Sequence, residues 1–365
     1  MFPTAARATA QNVLFNVGRA IGGFGPVVVG AVASLYSFEF AIAMLAALYL
    51  LDILALWLLI PERRGAALTR PGAVVSRDPA SVAADARLAG QPTDAGWQSF
   101  APSVVAELAE VIANEGVNAE YRHLVLACSE AAATGAPGQF FQLLCPQPPG
   151  EQPFLRRPMS LYGTSPASRQ LEFLYKVTGA GTRGLNTLKA GDRLDIMGPL
   201  GIGFALDRRW RSIVAVGRGA GLATLGPLAQ AAREQGIGVT AVLSARRPDL
   251  VVSAELFRSH GAEVIVVTDS QSTSGPASVE RILRRLISQA RCDAFFTCGS
   301  SRLLRVQQRL AHEFALPGQV AMEQQMACGM GLCFCCVRDF NVKGEIIQRR
   351  VCWEGPVFDL MEALP

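Results

Sequence analysis

Two long apolar stretches dominate the beginning of the chain. Nineteen residues without a formal charge separate Arg19 from Glu39, and residues 40–60 are interrupted only by Asp52. Because a helix of about 20 apolar residues crosses a bilayer, the pattern predicts a transmembrane helical hairpin over residues 1–64. A pair of buried core helices is the alternative. The turn of the hairpin has no Lys or Arg, whereas arginines lie at its outer ends, so we expect a membrane-anchored protein with its other domains in the cytoplasm.

The pattern changes three times after the hairpin. Residues 65–99 are rich in Ala, Gly, Pro and Ser without periodicity and predict a flexible linker. Residues 100–207 hold short β-rich runs separated by turn residues, which predicts an antiparallel β-barrel, with a sandwich as the alternative. In residues 208–317 apolar strands alternate with helical stretches, as is typical of an α/β doubly wound sheet. With a small cysteine-rich domain at residues 318–365, the predicted fold class is α+β multidomain.

Composition narrows the functional classes. The 365 residues are 50% hydrophobic and 18% charged with a net charge of +4, and no Lys/Arg run interleaves with aromatic residues, so we expect no nucleic-acid partner. Five of the nine cysteines lie between Cys328 and Cys352, which indicates ligands in a reducing compartment rather than disulfide bonds. The three histidines stand apart from any carboxylate or cysteine constellation, and we predict no catalytic acid or base.

The cysteine-rich segment has the spacing of a [2Fe–2S] site. It reads C-x4-C-x2-C when Cys335 is left out, which matches the plant-type spacing. Gly329 and Gly331 permit a close approach of the backbone and aim N–H groups at the cluster sulfurs. A structural zinc site and packed thiols are the alternatives, and Cys335 is an alternative to Cys336. We place Cys335 in the domain interior and predict four ligands: Cys328, Cys333, Cys336 and Cys352.

A short R-P-M-S segment in the β-rich region suits a nucleotide cofactor. Arg157 is a bidentate donor suited to a phosphate, and Ser160 is a small hydrogen-bond donor. Tyr162 or Tyr175 is placed to stack on a ring. An ordinary loop is the alternative for each of these residues alone.

A glycine-rich turn follows the first apolar strand of the predicted doubly wound sheet. Gly217, Gly219 and Gly221 let backbone N–H groups and a helix N-terminus meet a pyrophosphate, although the third glycine comes one position earlier than in G-x-G-x-x-G. The arginine pair at residues 246–247 lies where a 2′-phosphate would bind, whereas an NAD site more often has an acid. Residues 262–269 are nevertheless similar to those of an NAD-using family, so we expect NAD(H). The alternatives are NADP(H) and a domain that keeps the fold with a weakened nucleotide site. Cys298 ends a strand and is either a group beside the nicotinamide or an inert buried thiol.

The C-terminal segment resembles a known family. Residues 326–336 and 350–358 are similar to electron-transfer subunits of NAD-dependent dihydroorotate dehydrogenase, in the ferredoxin–NADP reductase superfamily, and the resemblance extends upstream. It implies an FAD domain at residues 100–207, a nicotinamide nucleotide domain at 208–317 and a [2Fe–2S] domain at 318–365. It also implies a set of FAD-binding residues: Arg157, Pro158, Met159, Ser160, Leu174, Tyr175, Lys176, Gly181 and Thr182.

The resemblance implies that electrons move among NAD(H), FAD, a [2Fe–2S] cluster and an FMN-containing dehydrogenase subunit in a hetero-oligomer, in pyrimidine biosynthesis. Trp353 and Phe358 are the candidate contacts with that subunit, and the alternative is that an aromatic residue there covers the cluster. A reductase serving another oxidoreductase, and a membrane transport or scaffold protein with a redox-sensing domain, are the alternatives. Residues 2–11 and 16–26 in turn resemble the segment entering the last two helices of major facilitator superfamily transporters, although two helices cannot form the two halves that alternating access requires.

Overall fold

The computed structural model describes residues 104–365, together with Val32, Leu35 and Phe40, which are helical. The predicted hairpin, the linker and the transporter-like segment otherwise lie outside the described residues. The expectation of a membrane-anchored protein is contradicted: within the described part of the chain, no helix is long and apolar enough to cross a membrane. The longest helices between residues 104 and 365 have 14 residues, whereas a span needs about 20.

Seven strands form an antiparallel sheet in the first half of the described region. They are β1 (Val105–Gly116), β2 (Tyr121–Ala127), β3 (Phe140–Leu143), β4 (Arg157–Ser160), β5 (Gly163–Ser165), β6 (Gln170–Lys176) and β7 (Arg193–Leu200). Their order is β4-β3-β7-β1-β2-β6-β5, and β4 also contacts β6, so the sheet curls. Helix α1 (Ala180–Leu185) connects β6 to β7. The predicted antiparallel pairing is confirmed, and the strands form a curled antiparallel sheet.

The inner face of this sheet is filled by large apolar side chains. Leu124, Leu126, Phe141 and Phe173 are fully buried and belong to one core cluster. Phe141 and Phe173 meet edge to face, with 5.6 Å between ring centroids. Because successive side chains of a strand point to opposite faces, the alternation along β2 and β6 in the sequence becomes this apolar interior.

The second half of the described region is an α/β unit. Its sheet contains β8 (Ser212–Arg218), β9 (Gly238–Ala245), β10 (Glu263–Thr268), β11 (Ala294–Cys298), β12 (Gly318–Ala321) and β15 (Val357–Asp359). The helices are α2 (Gly221–Glu234), α3 (Ala254–Ser259), α4 (Pro276–Ser288) and α5 (Ser301–Phe314). The order β10-β9-β8-β11-β12-β15 is parallel except for the last strand. The alternation of strands and helices predicted from the sequence is confirmed, and the chain reverses its direction of winding between β8 and β11.

The cysteine-rich segment lies between β12 and β15. It contains the hairpin of β13 (Val337–Val342) and β14 (Glu345–Arg350), followed by the short helix α6 (Val351–Glu354). A single core cluster joins Cys336 and Cys352 of this segment with Phe140 and Leu200 of the antiparallel sheet. The cysteine-rich segment is therefore packed directly against the sheet that carries the R-P-M-S strand.

Candidate functional site

The β13–β14 hairpin brings two of the predicted ligands together. Val337 pairs with Arg350 at the open end of the hairpin, so Cys336 and Cys352 lie just beyond that pair. The backbone N–H of Cys352 donates to Sγ of Cys336 (3.4 Å). Both side chains are buried. A separation of sixteen residues in the sequence thus becomes one pair of adjacent sulfurs.

The loop ahead of the hairpin forms the second pair. Sγ of Cys328 accepts the N–H groups of Met330 (3.4 Å) and Cys333 (3.5 Å), and the Cys333 thiol hydrogen-bonds it as well. Gly331 donates its N–H to Sγ of Cys352 (3.2 Å), which connects the loop with the hairpin pair. The expectation that this loop aims N–H groups at the sulfurs agrees with the geometry.

Glycine is required at two positions of the loop. Gly329 and Gly331 have φ of +72° and +75°, a region that other L-residues rarely adopt. A Cβ on Gly329 would lie 2.9 Å from the Gln142 side chain, and a Cβ on Gly331 would lie 2.9 Å from Cβ of Trp353. The loop can therefore follow this path only without side chains at these two places.

The sulfur environments differ in electrostatics. Desolvation raises the pKa of Cys328, but hydrogen bonds from the N–H groups of Cys333 and Met330 outweigh it and bring the pKa down to about 7. Burial, together with the neighbouring Cys336 thiol, raises the pKa of Cys352 to about 12. Within residues 104–365 no three His, Cys, Asp or Glu side chains converge on a point suited to a single metal ion. The four sulfurs instead form two pairs, Cys328 with Cys333 and Cys336 with Cys352.

Two side chains of the segment differ from expectation. Cys335 is exposed, not packed in the interior, because the chain turns outward at Phe334, where φ is +58°. Phe358 is 5% exposed and stacks on Phe340 with 4.2 Å between centroids, because β15 joins the edge of the parallel sheet. It is therefore not a surface contact, whereas Trp353 is 57% exposed.

Arg350 is a residue of the site that sequence reasoning missed. Its Nη1 donates to the carbonyl of Gly331 (3.1 Å), and its guanidinium lies 5.3 Å from the ring centroid of Phe334. Glu354 accepts from its Nε (3.0 Å). Arg350 thus holds the cysteine loop against the end of β14, and its position two residues before Cys352 was the available signal.

The two consecutive arginines at the start of the R-P-M-S strand have different surroundings. Arg156 makes a bidentate ion pair with Asp195 (3.0 and 2.8 Å). Arg157 donates to the backbone carbonyls of Leu155 and Arg156 and has no carboxylate partner among the ion pairs of the described region. A Cβ on Gly181 would lie 2.8 Å from Nε of Arg157. Helix α1 and strand β4 therefore meet at Arg157, the one of the two arginines without an acidic partner.

Other predicted flavin contacts take varied positions. Ser160 accepts a hydrogen bond from the Thr224 hydroxyl (2.9 Å), so this motif touches helix α2. Thr182 caps helix α1 by accepting the N–H of Gly179 (3.1 Å), and Lys176 pairs with Glu120 (2.7 Å). Pro158 and Met159 lie within β4, and Leu174 is buried on β6.

Two tyrosines, Tyr162 and Tyr175, were considered for stacking on a cofactor ring, and the side chain of Tyr175 is not available for this role. Tyr175 is 2% exposed and donates its hydroxyl to Asn114 (2.9 Å), so its ring belongs to the interior of the antiparallel sheet. The register of β6, which the sequence does not specify, turns this side chain inward. Tyr162 is half-buried and meets the His123 ring edge to face at 5.4 Å.

The glycine turn after β8 is closely packed against the end of β11. Gly219 has φ of +59°, and a Cβ on Gly221 would lie 2.5 Å from the carbonyl oxygen of Cys298. A Cβ on Gly217 would meet Leu222 and Leu225 at 2.8 Å. The three glycines thus allow the tight strand-to-helix turn that the sequence predicts at the reversal point of the sheet. Burial raises the pKa of the Cys298 thiol to about 12, which is the property of an unreactive thiol.

Arg218, inside this turn, makes contacts that sequence reasoning missed. Its guanidinium donates to both oxygens of Asp269 (3.1 and 2.6 Å) and to Oγ of Ser244 (2.9 Å). The hydrogen bonds from Arg218 and then Ser274 lower the pKa of Asp269 to about 2. Charged Arg218 therefore joins the carboxyl ends of β8, β9 and β10.

The arginine pair predicted for a 2′-phosphate already has acidic partners. Arg246 pairs with Glu120 across to the antiparallel sheet, and Arg247 pairs with Asp249 (2.9 Å). Glu323, which follows β12, is an acid that the sequence analysis missed. Its charge adds to the effect of burial in raising the pKa values of Cys298 and Tyr121.

Comparisons with known proteins agree with this geometry. Residues 323–363 match the iron-sulfur cluster binding domain of dihydroorotate dehydrogenase B. The electron transfer subunit of dihydroorotate dehydrogenase B (NAD(+)) from Streptococcus pneumoniae strain R6 is 33% identical over 69% of this chain and 96% of the relative. The corresponding subunit from Desulforamulus reducens is 32% identical over 63% of this chain and 87% of the relative.

A solved structure agrees as well. The NADH-dependent reduced ferredoxin–NADP oxidoreductase, a structure determined to understand flavin-based electron bifurcation, has a TM-score of 0.59 and 26% identity, covering 70% of this chain and 89% of that one. Its fold matches the curled antiparallel sheet followed by the α/β unit. The sulfur pairs, the fold and the relatives together establish that the chain is an oxidoreductase belonging to the family of electron transfer subunits of NAD(+)-dependent dihydroorotate dehydrogenase B.

Proposed function

We propose that the chain moves electrons between NAD(H) and an FMN-containing dihydroorotate dehydrogenase subunit, by way of FAD and a [2Fe–2S] cluster, in pyrimidine biosynthesis. The observation that carries this proposal is the pairing of four cysteine sulfurs beneath loop N–H groups. When bound, FAD supplies hydride exchange with the nicotinamide and transfer of single electrons to the cluster. The residues of the chain hold the cofactors in place, and the N–H groups at the cysteine sulfurs stabilise negative charge there.

The ligand set of the cluster is Cys328 and Cys333 on one iron and Cys336 and Cys352 on the other. Within each pair the two thiol side chains are hydrogen-bonded, and a [2Fe–2S] cluster takes four thiolates. The N–H groups that now contact Cys328 and Cys352 would stabilise negative charge on the ligands. Cys335 is exposed and is left out of the set.

The flavin lies between β4, β6 and helix α1. Arg157 has no acidic partner in the described region and is the donor for the pyrophosphate, with Gly181 giving the backbone a close approach to it. The proposed flavin site is lined by Ser160 and by Pro158, Met159, Leu174, Lys176 and Thr182. Tyr175 contributes its backbone. This assigns residues 100–207 to an FAD domain, 208–317 to a nucleotide domain and 318–365 to a cluster domain.

The nicotinamide nucleotide lies on the turn that contains Gly217, Gly219 and Gly221, next to Cys298. We favour NAD(H) over NADP(H), because both arginines at residues 246–247 are paired with carboxylates. An acid, Asp269, ends β10 at the same edge of the sheet. The 2′-phosphate of NADP(H) would lie near this acid, and both arginines at residues 246–247 are already paired with carboxylates.

The partner subunit docks on the apolar side chains around the cysteine loop. Leu332 is 74% exposed and Phe334 59% exposed, and together with Trp353 they flank Cys333 and Cys352. Such side chains are costly to leave in water and are typical of a binding surface. Docking there would place the partner within a short distance of the cluster.

Anaerobic purification of the full chain tests the proposal. We expect an extractable flavin, about two irons per chain and the visible spectrum of a [2Fe–2S] cluster. Zinc without flavin would overturn it. Serine replacement of each of the five clustered cysteines then tests the ligand set, and bleaching by Cys335→Ser without an effect of Cys336→Ser would reverse the assignment.

A further inference from the structure

The side-chain amide of Gln142 is buried without a hydrogen-bond partner. Gln142 is 0% exposed, and neither Nε2 nor Oε1 has a partner among the described residues. Gln139, three residues earlier and also buried, donates to the carbonyl of Gly201 (2.7 Å) and accepts the N–H of Ala136 (2.8 Å). Leaving a buried polar group unsatisfied costs about 1–3 kcal/mol, so a retained amide of this kind indicates a ligand that satisfies it.

The unsatisfied amide faces the cysteine loop. A Cβ on Gly329 would lie 2.9 Å from both Cγ and Nε2 of Gln142, so the two residues are in contact. Gly329 directly follows Cys328 in the sequence. Within the same loop, Met330 and Gly331 direct their N–H groups at the sulfurs of Cys328 and Cys352. The amide therefore lies against the part of the loop that holds cluster ligands.

The strand that carries Gln142 also belongs to the proposed flavin site. Gln142 pairs with Pro158 of the R-P-M-S strand on one side and with Met197 of β7 on the other. The neighbouring Phe140 and Leu200 share a core cluster with Cys336 and Cys352. Gln142 thus stands between the strand of the flavin motif and the cysteine loop.

A side-chain amide and the sulfurs of a cluster can form only one kind of hydrogen bond, in which the amide nitrogen donates. The oxygen and nitrogen of an amide exchange places by rotation of the last torsion, and only the nitrogen can donate. Thiolate and sulfide sulfurs only accept, so a cluster held by this loop would turn Nε2 toward itself. Hydrogen bonds to cluster sulfurs favour the reduced, more negative state and raise the reduction potential.

We infer that Gln142 donates a side-chain hydrogen bond to the [2Fe–2S] cluster and raises its reduction potential. This inference rests on the proposed function, since it requires the cluster. In this role Gln142 contacts the sulfurs of the cluster and ligates no iron. It connects the flavin-bearing sheet with the cluster through one buried amide.

Pulsed EPR and an EPR-monitored redox titration of the full-chain holoprotein test the inference. Gln142→Met keeps the volume of the side chain and removes the donor, so we expect a lower midpoint potential than in the wild type. Glutamine labelled with ¹⁵N at the side-chain amide should give a nitrogen coupling to the reduced cluster of the wild type, and this coupling should be lost in Gln142→Met. Gln139→Met, the control, should leave potential and coupling unchanged.

An unchanged potential and an unchanged coupling in Gln142→Met would overturn the inference. If this variant does not assemble a cluster, Gln142→Leu, which also lacks a donor, replaces it in the titration, and a potential equal to that of the wild type has the same consequence. Absence of the labelled coupling in the wild type alone also refutes the inference. A wild type without any [2Fe–2S] EPR signal would instead refute the proposed function.

Discussion

Replacing Gly331 by alanine should weaken the cysteine loop much more than the same change elsewhere in the cluster domain. Gly331 has φ of +75°, and holding a residue with a Cβ in that region costs about 1–2 kcal/mol. The new Cβ would also lie 2.9 Å from Cβ of Trp353, and such overpacking costs about 1–3 kcal/mol more. We therefore expect Gly331→Ala to lower the free energy of unfolding by about 2–5 kcal/mol.

Gly344 is the matched control, because it has φ of +90° with no atom within 4 Å of a built Cβ. Gly344→Ala should cost only the backbone term, about 1–2 kcal/mol. The assay is anaerobic urea unfolding followed by far-UV circular dichroism and by the visible absorbance of the cluster. Since Gly331 donates its N–H to Sγ of Cys352, Gly331→Ala should also release the cluster at lower urea. Equal losses in the two variants would refute the packing argument.

Three further changes give independent tests. Arg157→Ala should weaken flavin binding by roughly 10- to 100-fold, the loss of a charge-assisted hydrogen bond, whereas Arg156→Ala, the control, should lower stability without this effect; equal flavin titrations would contradict the assignment. The pKa of Asp269 falls from 3.8 to about 2 on folding, so its contribution to stability is present above pH 3.8 and lost as the pH falls through about 2. Asp269→Asn should therefore cost about 1 kcal/mol or less at neutral pH, because this exposed ion pair is screened by water, and an unchanged urea midpoint at pH 7 would contradict a stabilising pair. Cys335→Ser should keep the visible spectrum of the cluster and Cys352→Ser should alter it, and the reverse would exclude the ligand set.

The sequence predicted the fold of the described region where local patterns determine it. The alternation of apolar strands and helices in residues 208–317 and the β-rich runs before it reflect side-chain periodicity, which short segments already contain. The glycines at 329 and 331 were predictable for the same reason, because their backbone conformation is a local property. The C-x4-C-x2-C spacing is also a local property of the sequence, and it predicted which cysteines lie together in the loop.

Features that depend on distant parts of the chain were missed. Whether Tyr175 points inward depends on strand register, and Phe358 is buried because β15 pairs with β12, forty residues away in the sequence. The partners of Arg218 and the burial of Gln142 arise only when strands from separate regions meet. The membrane anchor was expected from the apolar runs and the arginine positions of residues 1–64, whereas within the described residues no helix is long and apolar enough to cross a membrane.

The coupled assay of dihydroorotate oxidation and NAD(+) reduction tests the central claim most directly. The full chain, mixed anaerobically with an FMN-containing dihydroorotate dehydrogenase subunit, should form NADH only when both proteins are present, and Cys352→Ser should abolish this activity. Orotate formation by the chain alone, or undiminished NADH formation after loss of the cluster, would contradict the electron route from NAD(H) through FAD and the cluster to a partner.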